Sequence, residues 1–338
     1  MDHYTILTPQ SRASFDERLT ELETLVRNHL QAESLEGRSL QWCKIFLSDA
    51  QNQYTQLIES ELYQDTLSAQ PSTIVEQAPA DGSKIALLMK TSTNPAPYIF
   101  QSMRLTEGET RGSSSYLQTM MLFEKYVKWL KDRGLRLDTH CVRTWIYVND
   151  IDNNYAGAVK ARNDIFRQYG LTADTHFIAS TGIGGASQTL SAQVAIDFLT
   201  YPDIQESDKT YLKALDHLNP THEYGVAFER GTKLSLPDKT IFYISGTASI
   251  DRHGHVIYLR NIERQTKRLL ENIGALLKDG GATMADIKYF VVYLRDTSDY
   301  EQVEAFMQQN YPDIPHVIVR AKVCRPEWLV EMECIAQQ

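Results

Sequence analysis

One alternation of apolar and polar positions occurs twice along the chain. Residues 141–166 read CVRTWIYVNDIDNNYAGAVKARNDIF and residues 287–311 read IKYFVVYLRDTSDYEQVEAFMQQNY. With one residue inserted, Tyr147 aligns with Tyr293, Asp150 with Asp296 and Tyr155 with Tyr300. Each copy predicts an apolar strand, an aspartate-containing turn and an amphipathic helix. Residues 39–62, SLQWCKIFLSDAQNQYTQLIESEL, echo the order more weakly, with Phe46, Leu47, Ser48, Asp49 and Tyr54 in comparable places. The pattern is that of one small α/β unit used in tandem.

In the last unit, residues 239–250 form a β-branched and aromatic run that predicts a strand, 251–254 a turn, and 255–259 a returning second strand. A helix follows Asn261, with Leu269, Ile273, Leu276 and Leu277 on one stripe and Gly280 and Gly281 at its end. Further strands are expected at 287–294, 316–323 and 328–336, and a second helix at 298–309. The order β-β-α-β-α-β-β predicts an α/β (α+β) fold. Each unit would be a mixed sheet with two helices packed on one face, leaving the other face to be covered. In the middle unit, strands are expected at 97–105, 141–149 and 191–199 and helices at 113–135 and 155–168. Residues 180–188, STGIGGASQ, read as a turn. The expected divisions are 1–92 (a degenerate unit), 93–220 (central) and 221–338 (C-terminal), with 200–220 as a linker.

Acidic residues outnumber basic ones, 43 Asp and Glu against 34 Lys and Arg, and no Lys/Arg run occurs. Binding to nucleic acid through counterion release is therefore not expected. No membrane partner is expected either, since there is no long apolar run and no basic-then-apolar leader. Cys43, Cys141, Cys324 and Cys334 sit in or beside apolar strands without a CxxC pair. That usage fits buried thiols in a reducing compartment, and a cytoplasmic location is expected.

In the last strand, Leu329, Glu331, Glu333 and Ile335 face one way and Trp328, Val330, Met332 and Cys334 the other. If a neighbouring unit covers the first face, Glu331 is desolvated and becomes a proton donor near neutral pH; on an edge strand both acids are simply solvated. In the strand over 141–149, Arg143, Trp145, Tyr147 and Asn149 oppose Val142, Thr144, Ile146 and Val148. Guanidinium, aromatics and amide on one face suit a small anionic ring compound, and equally a solvated sheet face. Arg162 and Arg230 are further cationic candidates. TGIGG at 181–185 lacks the spacing of a dinucleotide or phosphate loop. His253 and His255 have no third ligand at suitable spacing, so no metal is expected. No GxSxG elbow occurs.

ISGTASID, LLKDGGATMADI, VVYLRD and LVEMECIA, spread over residues 243–336, resemble the Rid (YjgF/YER057c/UK114) superfamily. Its members are trimers of such a unit with ligand clefts between neighbours, so tandem copies would build the clefts within one chain. Imine-deaminating members carry an arginine just after the proline that opens the fourth strand. Here Pro315 is followed by His316 and Val317, and Arg320 lies too far along.

RTWIYV (143–148), TGIGG (181–185), YGVAFERG (224–231), ISGTASI (244–250) and CRPEWLVEME (324–333) resemble the chorismatases, over residues 97–336. That likeness implies Rid-like units in a chorismate-mutase-like architecture and cleavage of the enol ether of chorismate, with release of pyruvate and no cofactor. By the same resemblance Glu331 protonates the enolpyruvyl methylene, Arg143, Arg162 and Arg230 hold the two carboxylates, and Tyr147, Tyr155 and Tyr224 shape the pocket. Gly246 and Cys324 match the members that form 3-hydroxybenzoate, with some 4-hydroxybenzoate; hydrolysing members carry alanines there. The alternatives are hydrolysis to a dihydroxycyclohexadiene carboxylate, imine deamination and a non-catalytic small-anion-binding role. The repeats are compatible with a monomer or a homo-oligomer, a trimer included.

Overall fold

The computed structural model describes residues 1–338, the side chain of Tyr224 excepted. The chain runs through β1 (Asp2–Leu7), α1 (Phe15–Leu35), β2 (Ser39–Leu47), α2 (Ala50–Glu59), β3 (Ser72–Glu76), β4 (Ala78–Pro79) and β5 (Ile85–Ser92). It continues with β6 (Ile99–Met103), α3 (Ser115–Lys131), β7 (Cys141–Val148), α4 (Ile151–Gln168), β8 (Ala179–Gly184) and β9 (Val194–Thr200). The last part holds β10 (Lys209–Leu212), β11 (Gly231–Ser235), β12 (Thr240–Ala248), α5 (Ile262–Asp279), β13 (Ile287–Leu294), α6 (Tyr300–Asn310), β14 (His316–Arg320) and β15 (Val330–Gln337).

Three sheets repeat one topology. Their orders are β1-β5-β2-β3, β6-β9-β7-β8 and, within a seven-stranded sheet, β12-β15-β13-β14. In each, two antiparallel pairings are followed by one parallel pairing. Each also has a register shift at the equivalent place, Leu40/Trp42, Cys141/Arg143 and Ile287/Tyr289. The weak echo at residues 39–62 thus belongs to a full copy of the same topology. An aspartate marks the strand-to-helix turn in all three: Asp49 accepts from Asn52 N at 3.1 Å, Asp150 sits at φ 47°, and Asp296 accepts from Ser298 N at 2.9 Å.

Alternation decides what each face meets. Cys43, Ile45 and Leu47 of β2 pack with Leu22 and Val26 of α1, while Ile146 and Val148 of β7 pack with Phe123 and Phe166 of the overlying helices. The opposite residues, Trp42, Phe46, Trp145 and Tyr147, enter a core shared by all three sheets. There Tyr4 meets Tyr289 with ring centres 5.3 Å apart, Phe100 lies between Trp42 and Trp145, and the hydroxyls of Tyr201 and Tyr243 bond at 2.6 Å. Each sheet is therefore covered on its second face by the other two. The sheets meet in a ring, β3 against β6, β8 against β12, and β14 and β13 against β4 and β1.

Three expectations are corrected. Residues 255–259 are not a strand: Tyr258 and Arg260 have φ of 60° and 59°, left-handed backbone incompatible with an extended run, and only Val256 bridges to Ile250. The partner strand of β12 comes from upstream, as β11, and the stretch read as a linker supplies β10 beside it. Nor is 180–188 a turn, because Ala179–Gly184 forms β8, parallel to β7. Its glycines permit close approach. A Cβ on Gly184 would come 2.8 Å from the carbonyl oxygen of Lys322 and 2.9 Å from its nitrogen. Gly184→Ala is therefore expected to lower stability by roughly 1–3 kcal/mol. This would be read as a lower urea midpoint at unchanged slope; an unmoved midpoint would show that the seam yields.

Candidate active site

At the seam where β8 meets β12, a cavity of about 280 Å³ opens. Tyr155 and Arg162, two turns apart on one face of α4, form one wall, and Ser180 and Gly182 of β8 continue it. The opposite wall is Gly246 and Ala248 of β12 with Glu331 of β15. The segment before β11 adds Phe228 and Arg230, and the connection into β15 adds Cys324, Arg325 and Trp328.

Glu331 is not on an edge. β15 lies between β12 and β13, where Glu331 pairs with Ala248 and Tyr293, and its side chain is 5% exposed. Burial pushes its carboxyl up to about 8; the nearby Glu333 charge adds to this, while Arg143 and Arg230 oppose it. At neutral pH the group carries its proton. Gly246 lies within the register shift of β12, and a Cβ there would strike Glu331 Oε1, with Glu331 Cδ at 2.9 Å and Thr181 Cγ2 at 3.1 Å. The absent side chain is the space that the acid occupies. Tyr155 stands beside Cys324, whose thiol is held up to about 12, chiefly by burial and then by Glu331. It is a thiol, not a thiolate.

Only one of the three copies carries this acid. Register equates Glu331, opposite Tyr293, with Ala195, opposite Tyr147, and Ala86, opposite Phe46.

Of the residues singled out in the sequence, Glu331, Cys324, Gly246, Tyr155, Arg162 and Arg230 come together around the cavity. Arg143 and Tyr147 are not among its lining. Arg143 is 2% exposed and ion-paired with Glu333 at 3.0 Å; the Tyr147 hydroxyl donates to Asp197 at 2.9 Å, which Arg104 also holds at 2.9 Å. The face of β7 that they share is turned into the three-sheet core, where polar groups must find partners inside the protein. The Tyr224 side chain lies outside the described residues. Phe228, Arg325 and Trp328 were not singled out, although all three stand within the quoted YGVAFERG and CRPEWLVEME motifs. The signal was a large side chain next to a charged one in a loop.

Among the described residues, His3, His29 and Glu33 offer donor atoms within 4.8 Å of one another. Glu33 is already committed to Arg38 at 2.7 and 3.1 Å, to His3 at 2.9 Å and to Thr91. His253 and His255 lie on an exposed turn against Asp251. Among the described residues, no helix is long and apolar enough to cross a membrane.

Residues 232–338 match the sequence family described as Endoribonuclease L-PSP. A chorismatase crystal structure matches with a TM-score of 0.70 at 18% identity, covering 99% of this chain and 98% of that one. Shorter matches cover 38% of this chain and 98% of the other. They include the Rid-family protein YyfA of unknown function from Yersinia pestis (22% identity, TM-score 0.32) and RidA from an Antarctic Psychrobacter (21%, 0.31). Over its whole length, then, this chain has the chorismatase fold, built from tandem units of the Rid superfold.

Proposed function

We propose that this protein cleaves the enol ether of chorismate, releasing pyruvate and forming 3-hydroxybenzoate, with 4-hydroxybenzoate as a minor product. The observation that carries the reading is a buried carboxyl, protonated at neutral pH, facing a small-molecule-sized cavity that three arginines, Arg162, Arg230 and Arg325, also line. Arg162 and Arg230 match the two carboxylates of chorismate. Glu331 gives its proton to the enolpyruvyl methylene carbon; the π electrons form the new C–H bond and leave an oxocarbenium ion beside the newly formed carboxylate. The ring C–O bond then breaks and pyruvate leaves with the ether oxygen, while the neighbouring ring hydroxyl oxygen bridges to the vacated carbon and returns its proton to Glu331. Protonation and opening of the bridge at its original carbon, with loss of the ring proton from the other, give 3-hydroxybenzoate. Opening the other way gives 4-hydroxybenzoate, and no water is consumed. Gly246 leaves room for the Glu331 carboxyl at the wall of the cavity. Cys324, a neutral thiol beside Tyr155, assists the rearrangement as a proton relay. The chemistry requires positioning and charge, and no cofactor enters it. In this reading the chain comprises units 1–92, 93–220 and 221–338, with catalysis at the seam of the last two.

The test is incubation of the purified protein with chorismate, following pyruvate enzymatically and separating products by chromatography. Equimolar pyruvate and 3-hydroxybenzoate are expected. A dihydroxycyclohexadiene carboxylate would keep enol-ether cleavage and remove the product assignment. Untouched chorismate would leave a small-anion-binding protein.

A further inference from the structure

Behind Glu331, on the same face of β15 and two residues along, Glu333 is 3% exposed. Both of its oxygens are engaged across the seam. Oε2 accepts from Arg143 Nη2 at 3.0 Å and from Thr181 Oγ1 at 2.5 Å, and Oε1 accepts from Trp145 Nε1 at 2.8 Å. The Thr181 hydroxyl also accepts from Arg143 Nη2 at 2.5 Å and from the Gly246 amide at 2.9 Å, so its donor and both lone pairs are used. Arg143 Nη1 donates to Ser245 Oγ at 3.2 Å, and that hydroxyl accepts from Ser180 N at 2.9 Å and donates to Glu229 O at 2.6 Å. The glycine that makes room for the acid is thus tied, through one threonine, to a buried ion pair spanning two sheets.

We propose that Arg143 and Glu333 are positioning residues, a charge-balanced bracket across the β8–β12 seam that places Gly246 and Glu331 and fixes the field in which the acid works. Arg143 acts through Glu333 and Thr181, not on the substrate. The inference rests on the reading of Glu331 as proton donor. Turning Arg143 towards a ligand would strand the buried Glu333 carboxylate, a costly arrangement. An arginine on the strand equivalent to β7 occurs at this seam alone, while the acid equivalent to Glu333 in the central copy, Asp197, is held by Arg104. Register places Tyr289 and Trp42 at the positions of Arg143, and Asp197 and Leu88 at those of Glu333.

Among the described residues, the charges that bear on Glu331 are Glu333 from its own strand, Arg143 from β7 and Arg230 from the segment before β11, and Arg162 of α4 and Arg325 of the connection into β15 line the same cavity. Tyr155, Cys324 and Tyr293 also face it and are held above their ordinary ranges, and so stay neutral. Glu333 raises the proton affinity of Glu331 and Arg143 lowers it, so removing each must move the acid in opposite directions.

The full-length protein labelled with ¹³C-glutamate allows Glu331 to be titrated by NMR, its signal assigned with Glu331→Gln. The wild-type midpoint is expected near 8. Glu333→Gln is expected to move it down by about one pH unit or more, a tenfold change in protonated fraction on the alkaline side, and Arg143→Met to move it up. The alkaline limb of kcat/KM for chorismate should follow. Shifts in one direction, no shifts, or an Arg143→Met variant that only raises KM would overturn the bracket. If the wild type leaves chorismate untouched, the proton-donor reading falls, and the titrations still decide the bracket. Where a single variant does not fold, the apolar pair Arg143→Met/Glu333→Met removes both charges together. Its kcat should fall about tenfold with KM kept, and an unchanged kcat would overturn the proposal.

Discussion

Glu331→Gln is expected to lower kcat/KM for chorismate by roughly 10²–10⁴-fold, because the amide fills the same space and cannot deliver the proton. The same change should make the protein more stable at neutral pH. The folded-state carboxyl is raised to about 8 from the ordinary 4.5, so its contribution is intact below 4.5 and is lost progressively as pH rises towards 8. At pH 7 the cost is on the order of 3 kcal/mol, about 1.4 kcal/mol for each pH unit above the ordinary value. Thermal melts at pH 7 should place Glu331→Gln above the wild type, and melts at pH 4 should bring the two together. For the wild type, kcat/KM should hold through neutral pH and fall as Glu331 ionises near pH 8. An alkaline limb several units away, or a variant no more stable at pH 7 than at pH 4, would show that the acid is not buried in its protonated form.

Gly246→Ala is expected to cut 3-hydroxybenzoate formation by about 10²-fold, the loss that follows when a reacting group is misplaced by an ångström. The new methyl group would meet the Glu331 carboxyl, 2.9 Å from Cδ, with Thr181 Cγ2 at 3.1 Å behind it, so the acid has to turn away. The turnover that remains should shift towards the dihydroxycyclohexadiene carboxylate. Product chromatography alongside pyruvate release reads both effects. Wild-type rates with an unchanged product ratio would mean that the Glu331 carboxyl does not rest against Gly246 during catalysis.

Much of the fold was legible because its periods are strong. Tyr147 and Tyr293 alternate with core residues in strands that the structure shows to be equivalent, and the stripe of Leu269, Ile273, Leu276 and Leu277 is buried along α5. The errors came from glycine and from loops. TGIGG read as a reversal because glycine favours turns, yet in β8 the same residues let Lys322 approach closely. The run at 255–259 has strand composition, but the left-handed residues Tyr258 and Arg260 end it, and composition does not record φ.

The candidate site was legible in the same proportion. Glu331 and Glu333 stood out as two acids on one face of the last strand, buried or solvated according to what covers it, and the resemblance pointed to Gly246, Cys324, Arg162 and Arg230, which the structure brings to one cavity. Arg143 shows the limit. Alternation placed it on the right face of β7, but nothing local says that the partner across that face is a carboxylate nearly two hundred positions away.

The sequence by itself determined the repeat, most of the strands and helices of its last two copies, and which side chains share a face of each strand, since these follow from side-chain periods within a few turns of the chain. The tertiary structure alone decided that three inner faces close on one another, that the acid stands at a single seam where the other copies have Ala86 and Ala195, and that Arg143 is taken by Glu333. Burial, proton affinity and pairing depend on what lies across a contact, and for these residues the contact joins distant parts of the chain.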